Sequence, residues 1–418
     1  MSKKHPDRRT FITTSVVAGA GFLIARGPIA APRVLGSSDR IQVGIIGCGG
    51  RGSALSGILY DLADGCNVTV VAVCDVWKPA LQKSADTVTK TFGGGPRTFQ
   101  RYADLLGLTD VDAVVIATPD FAHARILTEA AEAGKHVYCE KPMASNMQDA
   151  NAAVKAVESN RIVCQVGTQR RSCPRHQKAA ELMRSGIVGI VSEVETCYNR
   201  CTPSWVRDYS DVRQEDVDWE QYLLYLPKRD FDPRRYRCWH LYKDYTVGLA
   251  GLLGSHVIDV GTWFMDDPLP EYAVGLGGTL VWKEGREHAD TMESIFMFPK
   301  GFLLRFTSRL GNSSGGYEIQ FRGTKGTFDT ADLTADGEGG GEDRIQSPVT
   351  VEELVGARDW TDARPHVQNW LECIRSGRKP NADVHAGYAH SVASIMAHQA
   401  MDTGRRVRFD LKKREIKT

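Results

Sequence analysis

Residues 41–52 constrain the fold more than any other stretch of this chain. An apolar run rich in β-branched residues, Ile41 to Ile46, meets Gly47-x-Gly49-x-x-Gly52, and residues 53–62 then read as helix. Strand, glycine turn and helix in that order bring main-chain N–H groups at a helix N-terminus against a pyrophosphate, and a Cβ at Gly47 or Gly49 would block the approach. Gly52 lets the helix pack closely on its strand, and Cys48, Gly50 and Arg51 complete the turn. The next apolar run, residues 68–73, stops just before Asp75, whose carboxylate can accept both ribose hydroxyls of an adenosine and repels a 2′-phosphate. The expected cofactor is therefore NAD rather than NADP, with Arg51 and Lys78 the nearby cations that work against this preference.

At 418 residues the chain is long enough for two domains, since single cores stop growing at about 250–300 residues. Its 52 basic and 51 acidic residues leave a formal charge of +1, which gives no support to a nucleic-acid partner. Residues 1–36 are a different kind of sequence: Asp7-Arg8-Arg9-Thr10-Phe11-Ile12, a mildly apolar stretch over 11–25, then Pro28-Ile29-Ala30-Ala31-Pro32. This resembles a twin-arginine export signal and implies a periplasmic destination. The stretch is too polar and short for a membrane span, which needs roughly 20 predominantly apolar residues. Ala30 or Ala31 would be the last residue removed, and an uncleaved chain would stay tethered.

Ten cysteines suggest a disulfide framework at first, but Cys48, Cys74, Cys139 and Cys164 fall in or beside strands that read as buried. Cys197 and Cys201 form a lone C-x-x-x-C, a weak metal signal. Free thiols fit a protein that folds in the reducing cytoplasm before export.

Strand and helix alternate over residues 38–168, the expected Rossmann domain, an α/β doubly wound parallel sheet. Helices are expected at 79–91, 102–106, 124–133 and from Ser145 or Asn146 to about 158, and strands at 113–117, 136–139 and 162–166. Residues 169–418 read as an α+β domain with a largely antiparallel, open-faced sheet. Its expected strands are 190–198, 272–280, 294–298, 302–308, 318–322, 326–329 and 407–410, and its helices are 176–185, 366–374 and 387–401. An aromatic and basic insertion, 200–248, interrupts it, and residues 331–341 read as an acidic, glycine-rich mobile loop.

Three motifs carry chemistry: the glycine turn, Thr118-Pro119-Asp120-Phe121-Ala122-His123 after a parallel strand, and Glu140-Lys141-Pro142 after the next. Together they resemble the Gfo/Idh/MocA family of sugar and inositol oxidoreductases, over nearly everything after residue 38. The resemblance implies that Lys141 lies beside nicotinamide and the reacting hydroxyl, that His123 contacts the nicotinamide side, and that the chain forms a dimer or tetramer. The family's Asp-x-Gly-x-His-x-x-Asp matches Leu252-Leu253-Gly254-Ser255-His256-Val257-Ile258-Asp259 at His256 and Asp259, but Leu252 replaces the first acid. His256 is then the expected base, its ordinary pKa of about 6.5 suiting that task. Lys141 is the expected cation for a developing alkoxide, and Asp259 or an insertion residue such as Tyr242, Lys243 or Tyr245 orients His256.

Gln165, Thr168, Gln169 and Arg170 are expected to face the cleft between domains, Gln169 toward the cofactor and Arg170 toward substrate. Arg235, Tyr236 and Trp239 are the expected sugar contacts from the insertion. The spacing of His240, His256 and Asp259 singles out no metal. An exported NAD enzyme has no access to the cytoplasmic cofactor pool, so a redox-neutral cycle with retained NAD is favoured. The leading reading is an oxidoreductase of a sugar, cyclitol or glycoside hydroxyl. The second is a glycosidase working by transient hydroxyl oxidation and elimination, and the third a non-catalytic sugar-binding protein that keeps NAD as a structural ligand.

Overall fold

Six short strands of mostly β-branched residues make the first sheet: β1 Ile41–Ile46, β2 Val68–Cys74, β3 Arg97–Phe99, β4 Ala113–Ile116, β5 His136–Cys139 and β6 Cys164–Val166. This computed structural model describes residues 39–202, 205–351 and 361–418, so the expected export signal lies outside the described residues. All pairings in the sheet are parallel, in the order β3-β2-β1-β4-β5-β6. The order reverses between β1 and β4, and a crevice opens there at the carboxyl ends of the strands. β4 and β5 are buried along their whole length because helices cover both faces. One cover comes from far along the chain: helix Arg364–Ser376 lays Trp370, fully buried, 5.7 Å from the ring of Tyr138 on β5.

The second sheet has ten strands: β7 Val191–Tyr198, β8 Tyr272–Gly278, β9 Thr291–Met297, β10 Leu303–Arg309, β11 Tyr317–Gly323, β12 Gly326–Asp329, β13 Thr334–Asp336, β14 Val349–Thr350, β15 Val407–Asp410 and β16 Glu415–Lys417. Its order is β14-β13-β12-β11-β7-β10-β9-β8-β15-β16. One pair departs from the antiparallel expectation, β7 with β10, which run parallel from Glu193↔Leu303. A long crossover through the insertion and helix Ser255–Met265 returns the chain in the same direction. That helix packs on the inner face, where Phe264 stacks on Phe321 at 5.5 Å and Phe296, Phe306 and Phe328 are fully buried. The outer face is open and exposes Leu276, Ile295, Met297 and Leu303.

Several boundaries differ from expectation for local reasons. Helix Asp120–Glu132 begins ahead of the expected 124, because Pro119 presets the entry and Asp120 suits the positive first turn. Helix Pro174–Arg184 likewise starts at a proline, before the expected 176. The expected loop 331–341 contains β13, a three-residue strand between β12 and the edge strand β14 that its acidic composition conceals. The ten cysteines are all free. Among the described residues no helix is long and apolar enough to cross a membrane.

Three histidines sealed in the packing make stability depend on pH. Burial pushes the imidazoles of His136, His176 and His366 down to about 4, 3 and 4. An unfolded chain takes these protons near pH 6.5, where the native chain refuses them, so the stabilisation is complete above about 6.5 and is lost as pH falls toward 4 and 3. The midpoint of urea unfolding should fall between pH 7.5 and pH 5 with the slope m unchanged. A flat midpoint over that interval would contradict the burial of these rings.

Candidate functional site

A cavity of about 780 Å³ opens at the carboxyl ends of β1, β2, β4 and β5 and is closed on the far side by the insertion and by helix Ser255–Met265. Its dinucleotide end follows from the glycine turn. Gly47 sits at φ +93° with the Ala117 carbonyl 2.6 Å from where a Cβ would stand, and a Cβ on Gly52 would lie 1.9 Å from the Gly47 carbonyl. By contrast a Cβ on Gly49 or Gly50 would meet nothing within 4 Å, because these two border the cavity. The Ser53 N–H closes the first turn of helix Gly50–Asp61 on the Gly49 carbonyl at 2.9 Å, leaving the earlier N–H groups unspent at the positive end of the helix. An uncovered turn with free donors fits a pyrophosphate.

Asp75, after β2, accepts the Cys48 N–H at 2.7 Å on one carboxylate oxygen and the Trp77 N–H at 2.9 Å on the other. Burial pushes its carboxyl above the ordinary range, opposed by those two donors. The bonds fix the carboxylate on the cavity wall, with lone pairs left for a ribose diol.

At the other end, Lys141 donates from Nζ to the Leu252 carbonyl at 2.7 Å. Burial lowers its pKa below the ordinary lysine value, against the opposing charges of Asp120 and Glu140. Glu140 accepts from Arg51 Nε at 2.6 Å, which ties the Glu-Lys-Pro turn to the glycine turn. His123 is buried, its ring nitrogens each 2.8 Å from a carbonyl oxygen, those of Pro142 and Thr118, so it pins two cavity-facing loops together. His256 is half-buried at the start of its helix, after a π-helical turn over Ala250–Gly254. Burial, then the charges of Lys141, Arg170 and Arg51, hold it well below its ordinary value, and it is neutral at pH 7. Neither of its ring nitrogens has a hydrogen-bond partner among the described residues.

The cavity thus brings together Gly47, Gly49, Gly50, Arg51, Asp75, Thr118, Pro119 and His123 with Glu140, Lys141, Gln169, Tyr236, Trp239 and His256. Cys48 and Gly52 shape the turn from behind it. Three expected contacts are placed elsewhere. Asp259 is buried and takes Arg171 on both oxygens at 2.9 Å, with His390 Nδ1 3.8 Å away; burial alone would raise its carboxyl, but Arg171 and His390 outweigh it and hold it low. The Arg170 guanidinium lies 3.8 Å over the Tyr317 ring, its pKa pushed down to about 10 by burial. Arg235 turns outward to Glu287 at 2.6 Å. Gln165 and Thr168 are buried behind the cleft, where Gln165 accepts the Ala382 N–H at 3.2 Å.

Asp120 was not foreseen as a site residue. Its carboxylate is buried, accepts the Thr246 hydroxyl at 2.7 Å and lines the cavity near Lys141. It stands in the Thr-Pro-Asp motif itself, beside Gly251, where a Cβ would lie 2.7 Å from the Val247 side chain, 3.2 Å from the Pro142 ring and 3.8 Å from the Asp120 carboxylate. Most insertion aromatics are packing: Tyr222, Tyr225 and Tyr245 surround Phe121 at 5.9, 6.1 and 5.4 Å.

The carboxylate of Asp75 should set cofactor choice. Asp75→Asn keeps the shape and removes the charge, so the preference for NADH over NADPH should narrow about ten-fold, one charge-assisted contact's worth. Tryptophan-fluorescence titrations with both nucleotides measure it, and an unchanged ratio would refute the assignment.

Family comparison agrees with this geometry. Residues 41–168 match the Gfo/Idh/MocA model described as the oxidoreductase family, NAD-binding Rossmann fold, and residues 227–409 match its C-terminal alpha/beta domain. The chain is similar to an inositol 2-dehydrogenase of Rubrobacter xylanophilus, 36% identical over 160 residues that cover 37% of this chain and 42% of the relative. It is also similar to a glycosyl hydrolase family 109 protein of Shewanella pealeana, 28% identical over 211 residues, 46% of each chain. It thus spans about half the length of the curated relatives it matches. A levoglucosan dehydrogenase solved with NADH and levoglucosan shares the fold with a TM-score of 0.68 at 17% identity, over 88% of this chain and 99% of that one. With its glycine turn, its Glu-Lys-Pro turn and both domains matched, the chain belongs to the Gfo/Idh/MocA oxidoreductase family.

Proposed function

We propose that the chain is an exported, NAD-dependent oxidoreductase of a sugar, cyclitol or glycoside hydroxyl that retains its cofactor through a redox-neutral cycle. One observation carries the reading: a lysine of lowered pKa and a neutral histidine with unbonded ring nitrogens share one cavity with a dinucleotide turn. NAD bound at Gly47, Gly49, Gly50, Arg51 and Asp75 would supply the hydride acceptor. His256 takes the hydroxyl proton at a free ring nitrogen, and it remains a base in mildly acid solution because its pKa is depressed. Lys141, held by the Leu252 carbonyl, steadies negative charge as it develops on the substrate oxygen. Asp120 supplies the carboxylate that Leu252 does not, and it keeps Lys141 charged. The exposed apolar residues on the open sheet face support self-association, as a dimer or tetramer.

Similarity to family 109 glycosyl hydrolases supports a second reading, with which the leucine at 252 is equally compatible: a glycosidase that oxidises a hydroxyl transiently, eliminates the aglycone and adds water. Mature protein with no added NAD, mixed with free sugars and aryl glycosides, separates the two. A rise in NADH absorbance that stops at one bound cofactor per chain and reverses with a keto sugar supports the oxidoreductase. Continuous aglycone release without lasting NADH supports the glycosidase. In either assay Lys141→Met should lower kcat about 10²-fold or more with nucleotide affinity retained, and unchanged turnover would sink the site assignment. Asp120→Asn should move the alkaline limb of kcat to lower pH. Lys141 then loses one of the two carboxylates that oppose its burial, while Glu140 and Arg51 stay in place. A limb that stays put or moves upward would remove Asp120 from the mechanism.

A further inference from the structure

Among the described residues, every charge on the cavity wall but two has a partner. Arg51 pairs with Glu140 at 2.6 Å and Arg237 with Asp211 at 2.8 Å, and Lys141 donates to the Leu252 carbonyl at 2.7 Å. Asp75 accepts two main-chain N–H groups, and Asp120 accepts the Thr246 hydroxyl. Arg200 and Arg207 line the same cavity, yet among the described residues neither guanidinium has a carboxylate within ion-pair distance or a hydrogen-bond acceptor.

Both are presented from anchored backbone. Arg200 follows β7, its N–H on the Arg309 carbonyl at 2.8 Å, and the last residue of β7, Tyr198, holds its ring 6.1 Å from that of His256. The Arg207 N–H meets Cys238 Sγ at 3.3 Å, and that thiol donates back to the Arg207 carbonyl at 3.4 Å. Two exposed guanidinium groups on hydrogen-bonded backbone, without a carboxylate partner among the described residues, match an anion, whose oxygens take their parallel N–H donors. The cofactor's phosphates are served elsewhere, by the glycine turn and Arg51.

We propose that Arg200 and Arg207 form an anion subsite and that the substrate is an acidic sugar or cyclitol bearing a carboxylate or a phosphate ester. The inference deepens the proposed function and rests on its reading of this cavity as the hydroxyl-binding site.

Titrating the NADH-loaded full chain with D-glucuronate, D-glucose 6-phosphate and D-glucose, with NADH fluorescence as the readout, tests it without requiring turnover. At least one anionic sugar should bind about ten-fold or more tightly than glucose, and whichever does names the anionic group. The Arg200→Gln, Arg207→Gln double variant should lose that preference with its melting temperature and NADH affinity unchanged. Equal binding of all three sugars, or binding by neither anion, overturns the proposal. A double variant that loses NADH affinity also overturns it, because the arginines would then serve the pyrophosphate. Anion preference without oxidation of any of the three sugars when NAD replaces NADH would leave the subsite standing and count against the dehydrogenase reading.

Discussion

The bond from Lys141 to the Leu252 carbonyl is the constraint on which the site depends. Lys141 lies two residues beyond β5 of the first sheet, and Leu252 lies in the π-helical turn before the helix that carries His256. The contact therefore sets the distance between the proposed cation and the proposed base. A buried ammonium needs a partner. Here that partner is a neutral carbonyl, which satisfies the hydrogen bond without neutralising the charge, so burial lowers the pKa while Asp120 and Glu140 resist. The leucine leaves the charge available to whatever oxygen enters the cavity.

Behind this pair lies a buried network that acts on position rather than chemistry. Arg171 grips Asp259 with two nitrogens, Asp259 faces His390, and His390 Nε2 accepts the Met143 N–H at 3.4 Å, two residues beyond Lys141. The Ala144 N–H donates to Ser391 at 3.1 Å. Asp259 thus steadies the Glu-Lys-Pro turn from the rear, although it shares a helix face with His256. Removing one member would leave a buried charge without its partner, a strongly destabilising change.

Much of this was legible in the residues. The strand, the glycine turn and Asp75 follow from local rules, because a pyrophosphate site is built within one short stretch of chain. Lys141 and His256 were legible through motif and family likeness. Asp259, Arg170 and Arg235 were misplaced for one physical reason: spacing says which residues share a face and not what that face packs against. Asp259 faces Arg171 and His390, and Arg235 faces Glu287, partners 52 to 131 positions away in the chain. The same blindness hid Asp120, whose carboxylate is held on the cavity wall by Thr246, 126 positions away in the chain. Strands of two or three residues such as β3, β14 and β16 carry too little pattern to be seen.

The insertion joins what the sequence presents as separate features. It is tied to the adenosine edge by the Asp218 N–H on the Val76 carbonyl at 2.8 Å, by Lys78 Nζ on the Glu215 carbonyl at 2.9 Å, and by Arg237 stacked 4.5 Å over Trp77. Near the reacting end it buries Phe121, and the Tyr225 hydroxyl donates to the Phe121 carbonyl at 2.8 Å. The segment that covers this cavity is thus fastened at both edges, and under the proposed reading those contacts would oppose release of the dinucleotide. The same segment carries Arg207, Tyr236 and Trp239 on the cavity wall. In the proposed reading, cofactor retention and substrate choice would both depend on this one folded strap. In the proposed redox-neutral cycle, such a coupling would hold the cofactor in place until its hydride returns.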